Sequence, residues 1–172
     1  GVIAKGFGRN ITRNPEQMKS LFEKADILVD TTQRRNPSTP VVPNEWLAWL
    51  PDHAVIVDLS VDPYTLNVDP PVVRGIEGIP QGNLDQYIFA PDDPNWMAKI
   101  PPEIPTDVRR TSISCYSWPG IRPQACMQHY QGQLKPLMQV LLKSGYARLA
   151  HETNHFGRAL YRGSLDAFLN VR

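Results

Sequence analysis

The stretch HAVIVDLSVDPY, His53–Tyr64, decides the fold class, because a run of β-branched residues ends in two aspartates, Asp58 and Asp62. An apolar run this short predicts a strand buried on both faces, as in a parallel sheet, and not a helix. Asp before Pro is also common in turns, so composition alone makes Asp58 a turn cap and Asp62 the start of an Asp-Pro turn. The two carboxylates therefore either end a strand in a turn or lie at a functional site.

The flanking sequence predicts a βαβ rhythm on both sides of this strand. NPEQMKSLFEKA, residues 14–25, is typical of a helix, with Asn14 as the cap and Pro15 in the first turn. ADILVDTT follows as a second apolar strand, expected to be buried on both faces, NEWLAWL as a short helix, and TSISCY as a later strand. We expect an α/β fold with parallel strands near residues 26–31, 54–59 and 112–116, and helices on both faces of the sheet.

The segment 63–110 differs from its surroundings, since nine of the 17 prolines fall between Pro63 and Pro105. We interpret it as an insertion of loops and short extended pieces, VVRGI and QYIFA, that pairs as a hairpin or lies along a partner subunit. After it, the sequence 124–146 predicts two helical pieces broken at Pro136, and the tail predicts a helix interrupted at Gly163.

Composition excludes several classes of function. The formal net charge is +1 and the basic residues are scattered, so we expect no nucleic-acid partner. No apolar run reaches the length of a membrane span, and two cysteines at no metal-ligand spacing predict a cytoplasmic protein without a metal site.

GVIAKGFGRN lacks a complete phosphate-loop or dinucleotide fingerprint and predicts a turn. His151 and His155 are two candidate ligands without a third, which favours ordinary histidines.

Polar groups or sharp turns follow each of the three predicted parallel strands. DTT ends the first strand, Asp58 and Asp62 end the second, and CYSWPG ends the third. Ligands of open parallel sheets bind at the carboxyl ends of the strands. This convergence favours a site over a simple turn at Asp58 and Asp62.

The order of these pieces resembles the nicotinamide-binding domain of the alanine dehydrogenase and pyridine nucleotide transhydrogenase family. The resemblance rests on ADILVDTT, the Pro-bearing loop, HAVIVDLSVD and the SWPGIRP turn before a helix, and it runs from about Ala25 to Tyr146. It implies the second half of a doubly wound, Rossmann-like sheet, with the first βαβ unit absent. It also implies residues 1–150 as part of a dinucleotide-binding domain and 151–172 as a terminal helix that returns to a missing substrate domain.

The family's site maps onto particular positions of this chain. The resemblance implies that Asp62 is the acidic catalytic residue beside the nicotinamide, and that NAD or NADP is the cofactor. The cofactor-binding residues it implies are Thr31, Thr32, Leu59, Asp62, Ser117 and Trp118. Two pairs of residues differ from the family: Pro63 and Tyr64 replace a glycine pair, and Ser117 and Trp118 replace an Asn-Met pair. The resemblance therefore implies an amino acid or keto acid as substrate, without identifying which one.

Two functions are therefore expected from the sequence. The first is an NAD(P)-dependent amino-acid dehydrogenase, inactive as an isolated chain and dependent on a missing N-terminal portion or companion chain, within a homo-oligomer. The alternative is a non-catalytic Rossmann-like module for oligomerisation or regulation. Trp46, Trp49 and Trp96 would then anchor a partner, although ordinary core or rim tryptophans are more common.

Overall fold

The computed structural model describes residues 1–169, which form two compact units, Gly1–Trp118 and a second from Pro119 onward. The first unit contains a four-stranded sheet in the order β1-β2-β4-β3. Its strands are β1 (Ile27–Asp30), β2 (Val55–Asp58), β3 (Ile88–Phe89) and β4 (Thr111–Ser114). β1, β2 and β4 are parallel, and β3 joins β4 in the antiparallel direction. The α/β fold and the three predicted parallel strands are confirmed.

The two helices that the sequence predicts in this unit begin at the expected residues, and one further short helix, which was not predicted, comes before them. A short helix α1 (Arg9–Thr12) precedes α2 (Pro15–Phe22), whose Asn14 cap accepts a hydrogen bond from the Gln17 amide at 3.1 Å. NEWLAWL forms a 3₁₀ helix, Asn44–Trp49, that Pro51 follows. An Asn cap with proline in the first turn satisfies one free amide and removes another, which fixes the start of α2.

The main core lies on one face of the sheet. Met18 and Phe22 of α2 and Leu47 of the 3₁₀ helix pack with Leu28 and Ile56 of the first two strands. The opposite face carries Ile27, Val29 and Ile88, which are exposed. The expectation that β1 is buried on both faces is therefore wrong for this unit, because its helices cover only one side of the sheet.

The insertion 63–110 folds into a compact layer with a core of its own. It contains β3, a 3₁₀ turn (Met97–Lys99) and a bridge between Thr65 and Val72. Trp96 is fully buried and donates a hydrogen bond to the Gly78 carbonyl at 3.2 Å. It packs with Val73, Phe89, Ile100 and Ile104.

Of the three tryptophans predicted as anchors, Trp96 is fully buried and the other two are half-buried. Trp96 lies in the core of the insertion, and Trp46 and Trp49 stack at a centroid distance of 5.1 Å against the main core. Trp96 is therefore a core residue and not a partner anchor, whereas Trp46 and Trp49 are half-buried and their role as partner anchors stays a prediction.

The second unit is helical over its described residues. It contains α4 (Pro123–Ser144), a 3₁₀ helix (Tyr146–His151), α5 (His155–Arg162) and α6 (Leu165–Leu169), and the four-residue α3 (Trp118–Ile121) leads into it. The interruption predicted at Gly163 is confirmed, whereas the break predicted at Pro136 is wrong because α4 is continuous. Pro136 removes the partner of the Gly132 carbonyl, and Gly132 is exposed, so water can take that place. The end of the predicted tail helix, residues 170–172, lies outside the described residues.

No helix of the described chain combines the length and apolar character needed to cross a membrane. The assignment of residues 1–150 and 151–172 to two functional domains stays a prediction.

Candidate functional site

The register of the parallel strands places three polar residues side by side at one end of the sheet. Asp30 of β1 lies opposite Asp58 of β2, and Asp58 lies opposite Ser114 of β4. All three are buried, with exposed fractions of 4%, 2% and 0%. We call this end of the sheet, together with the turns that follow the strands, the carboxyl rim. Buried carboxylates need partners, so the rest of the rim is organised around them.

Asp58 holds the turn that leads to Asp62. Its Oδ1 accepts hydrogen bonds from the amides of Ser60 and Val61, each at 3.0 Å. Val61 has φ 51°, in the left-handed region that a β-branched side chain rarely adopts. Such a conformation costs about 1–3 kcal/mol and persists only where the surroundings impose it. The turn is thus a strained segment directly before Asp62.

Arg74, from the insertion, balances the charge of Asp58. Its Nη2 donates to Asp58 Oδ2 and, at 2.7 Å, to Ser114 Oγ, and its Nη1 donates to the Asp62 carbonyl at 2.9 Å. The side chain is 1% exposed. Burial lowers the pKa of Arg74 to about 10, and among nearby charges Asp30 raises it and Arg34 lowers it, which leaves Arg74 charged at neutral pH. The insertion therefore supplies a structural part of the rim.

Asp30 is connected to Asp58 through a hydroxyl. Ser60 Oγ lies 3.0 Å from Asp30 Oδ2 and 2.9 Å from Asp58 Oδ1, and the Thr32 amide donates to Asp30 Oδ1 at 2.8 Å. A Cβ on Gly75 would lie 2.5 Å from Asp30 Oδ2, closer than real contacts allow. Glycine at this position lets the insertion approach the carboxylate.

Asp62 is the most accessible carboxylate of the rim. Arg34 Nη2 donates to Asp62 Oδ2 at 2.7 Å, and the exposed fractions of the two side chains are 7% for Arg34 and 34% for Asp62. Asp62 Oδ1 has no hydrogen-bond partner among residues 1–169. One oxygen is thus held by a buried guanidinium group and the other is open to a ligand or to water.

The other residues implied by the resemblance also lie where the three strands end. Thr31 is exposed, whereas Thr32 Oγ1 is buried without a hydrogen-bond partner in the described chain. Leu59 is 45% exposed, and its amide donates to the Asp30 carbonyl at 2.9 Å. The Ser117 amide donates to Cys115 Sγ at 3.4 Å, and Trp118 Nε1 donates to the Asp58 carbonyl at 3.2 Å.

Sequence reasoning missed both arginines of the rim. Arg34 lies in the loop after β1, and Arg74 lies in VVRGI between two apolar residues and a glycine. An arginine inside an apolar run is the signal that could have identified Arg74, because a buried guanidinium group requires a carboxylate partner. Arg34 has no comparable signal, since its neighbour Arg35 is equally basic and is exposed.

The described residues offer no clear metal centre. No group of three or more histidine, cysteine, aspartate or glutamate side chains within 1–169 is placed to hold a metal ion. Two acidic groups of the rim are instead compensated by guanidinium groups, Asp58 by Arg74 and Asp62 by Arg34.

No protein-family model matches the chain, and no sequence among the curated proteins matches it. Among solved structures, an L-alanine dehydrogenase is similar to this chain with a TM-score of 0.48 and 18% sequence identity. The similarity covers 80% of this chain and 32% of that chain, so this chain spans about a third of the dehydrogenase's length.

Proposed function

We propose that this protein is an NAD(P)-dependent oxidoreductase that acts on an amino acid or keto acid, with Asp62 beside the nicotinamide. The observation that carries the proposal is the geometry of Asp62 at the carboxyl rim of a parallel sheet. Its carboxylate is anchored through one oxygen by Arg34 and has the other oxygen open. Ligands of such sheets bind outside the carboxyl ends of the strands, where Asp62 lies.

The strain at Val61 supports a role for Asp62 beyond a turn. An ordinary Asp-Pro turn does not require a β-branched residue at φ 51°. The strain is imposed by the hydrogen bond from the Val61 amide to Asp58 and by that from Arg74 to the Asp62 carbonyl. Backbone strain of this kind concentrates at functional sites.

The residues of the rim fit the nicotinamide end of a dinucleotide. Leu59 and Thr31 are exposed beside the carboxylates, and Thr32 Oγ1 is a buried polar atom that lacks a partner in the described chain. Three carboxylates against two guanidinium groups leave one formal negative charge on the rim, which suits a cationic oxidised nicotinamide. When bound, the dinucleotide supplies the hydride acceptor or donor, its nicotinamide C4. Leu59 provides an apolar contact for the ring.

Asp62 then acts on the substrate. Its open oxygen accepts a hydrogen bond from the substrate's amino group or from an attacking water, and its charge compensates the positive charge that develops there. Ser117 and Trp118 follow β4 at the same rim. Thr31, Thr32, Leu59, Ser117 and Trp118 are the contacts that we assign to the cofactor.

The open edge of the sheet belongs to the same proposal. β1 pairs only with β2 among the described residues, so its outer edge offers unpaired backbone groups. We assign this edge to strands of an N-terminal portion or a companion chain that would bind the pyrophosphate.

The proposed enzyme works in the cytoplasm, and Cys115 and Cys126 are free thiols, as is usual in a reducing compartment.

The test is hydride transfer by the intact polypeptide that carries this sequence. The near-ultraviolet absorbance of reduced nicotinamide is followed with NAD or NADP and a panel of 2-amino acids, and in reverse with 2-keto acids and ammonium. We expect turnover with at least one pair, and turnover that Asp62→Asn lowers about 100-fold or more. Asp52→Asn should leave it unchanged. Asp52 is the control because its carboxylate is fully exposed and pairs with Arg110. Absence of both dinucleotide binding and turnover would contradict the proposal.

A specific observation also favours the non-catalytic alternative. Ile27 and Val29 form an exposed apolar patch on the sheet, next to the open edge of β1. Parallel sheets are normally covered on both faces, so this patch suits an interface in a homo-oligomer. Sedimentation of the intact polypeptide together with the turnover assay separates the two functions. A stable oligomer that binds no dinucleotide favours the module, and a dinucleotide-dependent turnover favours the enzyme.

A further inference from the structure

We propose that Arg34 is a positioning residue that fixes the orientation of the Asp62 carboxylate for hydride transfer. This inference rests on the proposed function. Arg34 does not reach the open Oδ1 of Asp62, on which the substrate would bind, and acts only through Oδ2. A misplacement of about 1 Å in a reacting group can cost about 100-fold in rate, so a group that fixes the carboxylate contributes to catalysis without touching the substrate.

Arg34 is itself held firmly by the main chain. Its Nη1 donates to the carbonyls of Thr39 at 2.9 Å and Pro37 at 3.2 Å, and its Nη2 donates to the Val73 carbonyl as well as to Asp62. These acceptors come from two segments, the loop after β1 and the insertion. A guanidinium group fixed by carbonyls from both segments stays in place whether or not Asp62 is bound to it.

Asp62 is fixed at its main chain as well. Arg74 donates to its carbonyl at 2.9 Å, and the strained Val61 precedes it. The backbone is therefore set by Arg74 and the turn, and the remaining freedom of Asp62 is rotation of its side chain. Arg34 restricts that freedom, since its Nη2 lies 2.7 Å from Oδ2. The two arginines have separable roles, one for the backbone and one for the carboxylate.

The first measurement compares Arg34→Met with Arg110→Met in the intact polypeptide. Arg110 is a matched control, because it is 12% exposed, donates to the Leu50 carbonyl at 2.8 Å, and pairs with one carboxylate, Asp52, at 3.2 Å. For Arg34→Met we expect kcat to fall about 10- to 100-fold while the dissociation constant of the dinucleotide changes by less than about threefold. Arg110→Met should leave kcat within about twofold of the wild-type value.

The second measurement separates positioning from general damage to the fold. If Arg34 acts only through Asp62, the double variant Arg34→Met, Asp62→Asn should be no slower than Asp62→Asn alone. Millimolar guanidinium ion should restore part of kcat to Arg34→Ala, and not to Arg110→Ala. Arg34→Lys should remain slower than wild type, because an ammonium group cannot make the same set of planar contacts.

The outcomes that overturn the inference are distinct from failure of the proposed function. Equal kcat values for Arg34→Met and Arg110→Met, or losses that multiply in the double variant, overturn the positioning role while leaving an active wild-type enzyme. If Arg34→Met does not fold, Arg34→Lys and guanidinium rescue of Arg34→Ala decide the question, and no rescue overturns it. A wild-type polypeptide without hydride transfer overturns the proposed function itself, and this inference with it.

Discussion

Asp58 and Asp62 lie four positions apart, yet the structure predicts that they contribute very differently to stability. Asp58→Asn removes the charge that faces Arg74 while preserving the size of the side chain. The Asn oxygen can still accept from the amides of Ser60 and Val61, as Asp58 Oδ1 does. The Asn amide group, however, places a donor where Asp58 Oδ2 accepts from Arg74 and Ser114.

The magnitude follows from the burial of the pair. Asp58 and Arg74 are 2% and 1% exposed, so the substitution leaves a buried guanidinium charge without its carboxylate. Removing one partner of a buried ion pair costs about 3–5 kcal/mol. For a chain of this size that corresponds to a fall in Tm of about 6–20 °C. Asp62→Asn should cost about 1 kcal/mol or less, because the Asp62 side chain is one-third exposed and its ion pair is partly screened by solvent.

Urea unfolding followed by tryptophan fluorescence measures this difference directly. All four tryptophans lie in the first unit, so the signal reports on the sheet and its rim. Arg74→Met should be as harmful as Asp58→Asn, and the double variant should cost less than the sum of the two. The reasoning is refuted if Asp58→Asn lies within about 1 kcal/mol of wild type, or if Asp62→Asn is the more damaging of the two.

Further substitutions test the local structure by the same unfolding assay. Gly75→Ala should cost about 1–3 kcal/mol, because its Cβ would lie 2.5 Å from Asp30 Oδ2; a neutral result would mean that Asp30 moves freely. Gly132→Ala, with nothing within 4 Å of its Cβ in an exposed helix, should instead stabilise α4 by up to about 1 kcal/mol, as seen by circular dichroism, and a loss of helix would contradict this. Asn14→Ala should cost about 1 kcal/mol through loss of the cap on α2, and no loss would mean that water replaces the bond. Val29→Thr, on the exposed sheet face, should change stability by less than about 0.5 kcal/mol and reduce self-association in light scattering, whereas unchanged association would remove this face from the interface.

The strands and the start of α2 could be predicted because their signals are local. β1 and β2 lie within the predicted ranges, and β4 begins one residue earlier, at Thr111. Apolar periodicity and an Asn-Pro cap depend on neighbouring residues alone. The parallel arrangement then brought Asp30, Asp58 and Ser114 together at one end, which follows from topology alone.

The features that could not be predicted depend on contacts between distant parts of the chain. The hydrogen bond from Arg34 to the Val73 carbonyl spans 39 positions, and that from Arg74 to Ser114 spans 40 positions. The pattern of apolar residues along the sequence does not show which segment of a proline-rich insertion contacts the carboxylates of the rim. The exposure of Ile27 and Val29 likewise depends on which face of the sheet the helices cover. The sequence of β1 does not predict this, because it is apolar on both faces. Proline in a helix interior predicts a break, and the sequence does not show that Gly132, one turn before Pro136, is exposed to water.

The role of Asp62 in hydride transfer is tested most directly by kcat of Asp62→Asn in the intact polypeptide, measured beside the dissociation constant of the dinucleotide. The substitution keeps the shape of the side chain and removes the charge that its open oxygen presents to the substrate. We predict that kcat falls about 100-fold or more, as for loss of a positioned acid or base, while the dissociation constant changes by less than about threefold. An unchanged kcat with the preferred substrate would contradict the proposed function and leave Asp62 as the first residue of a turn.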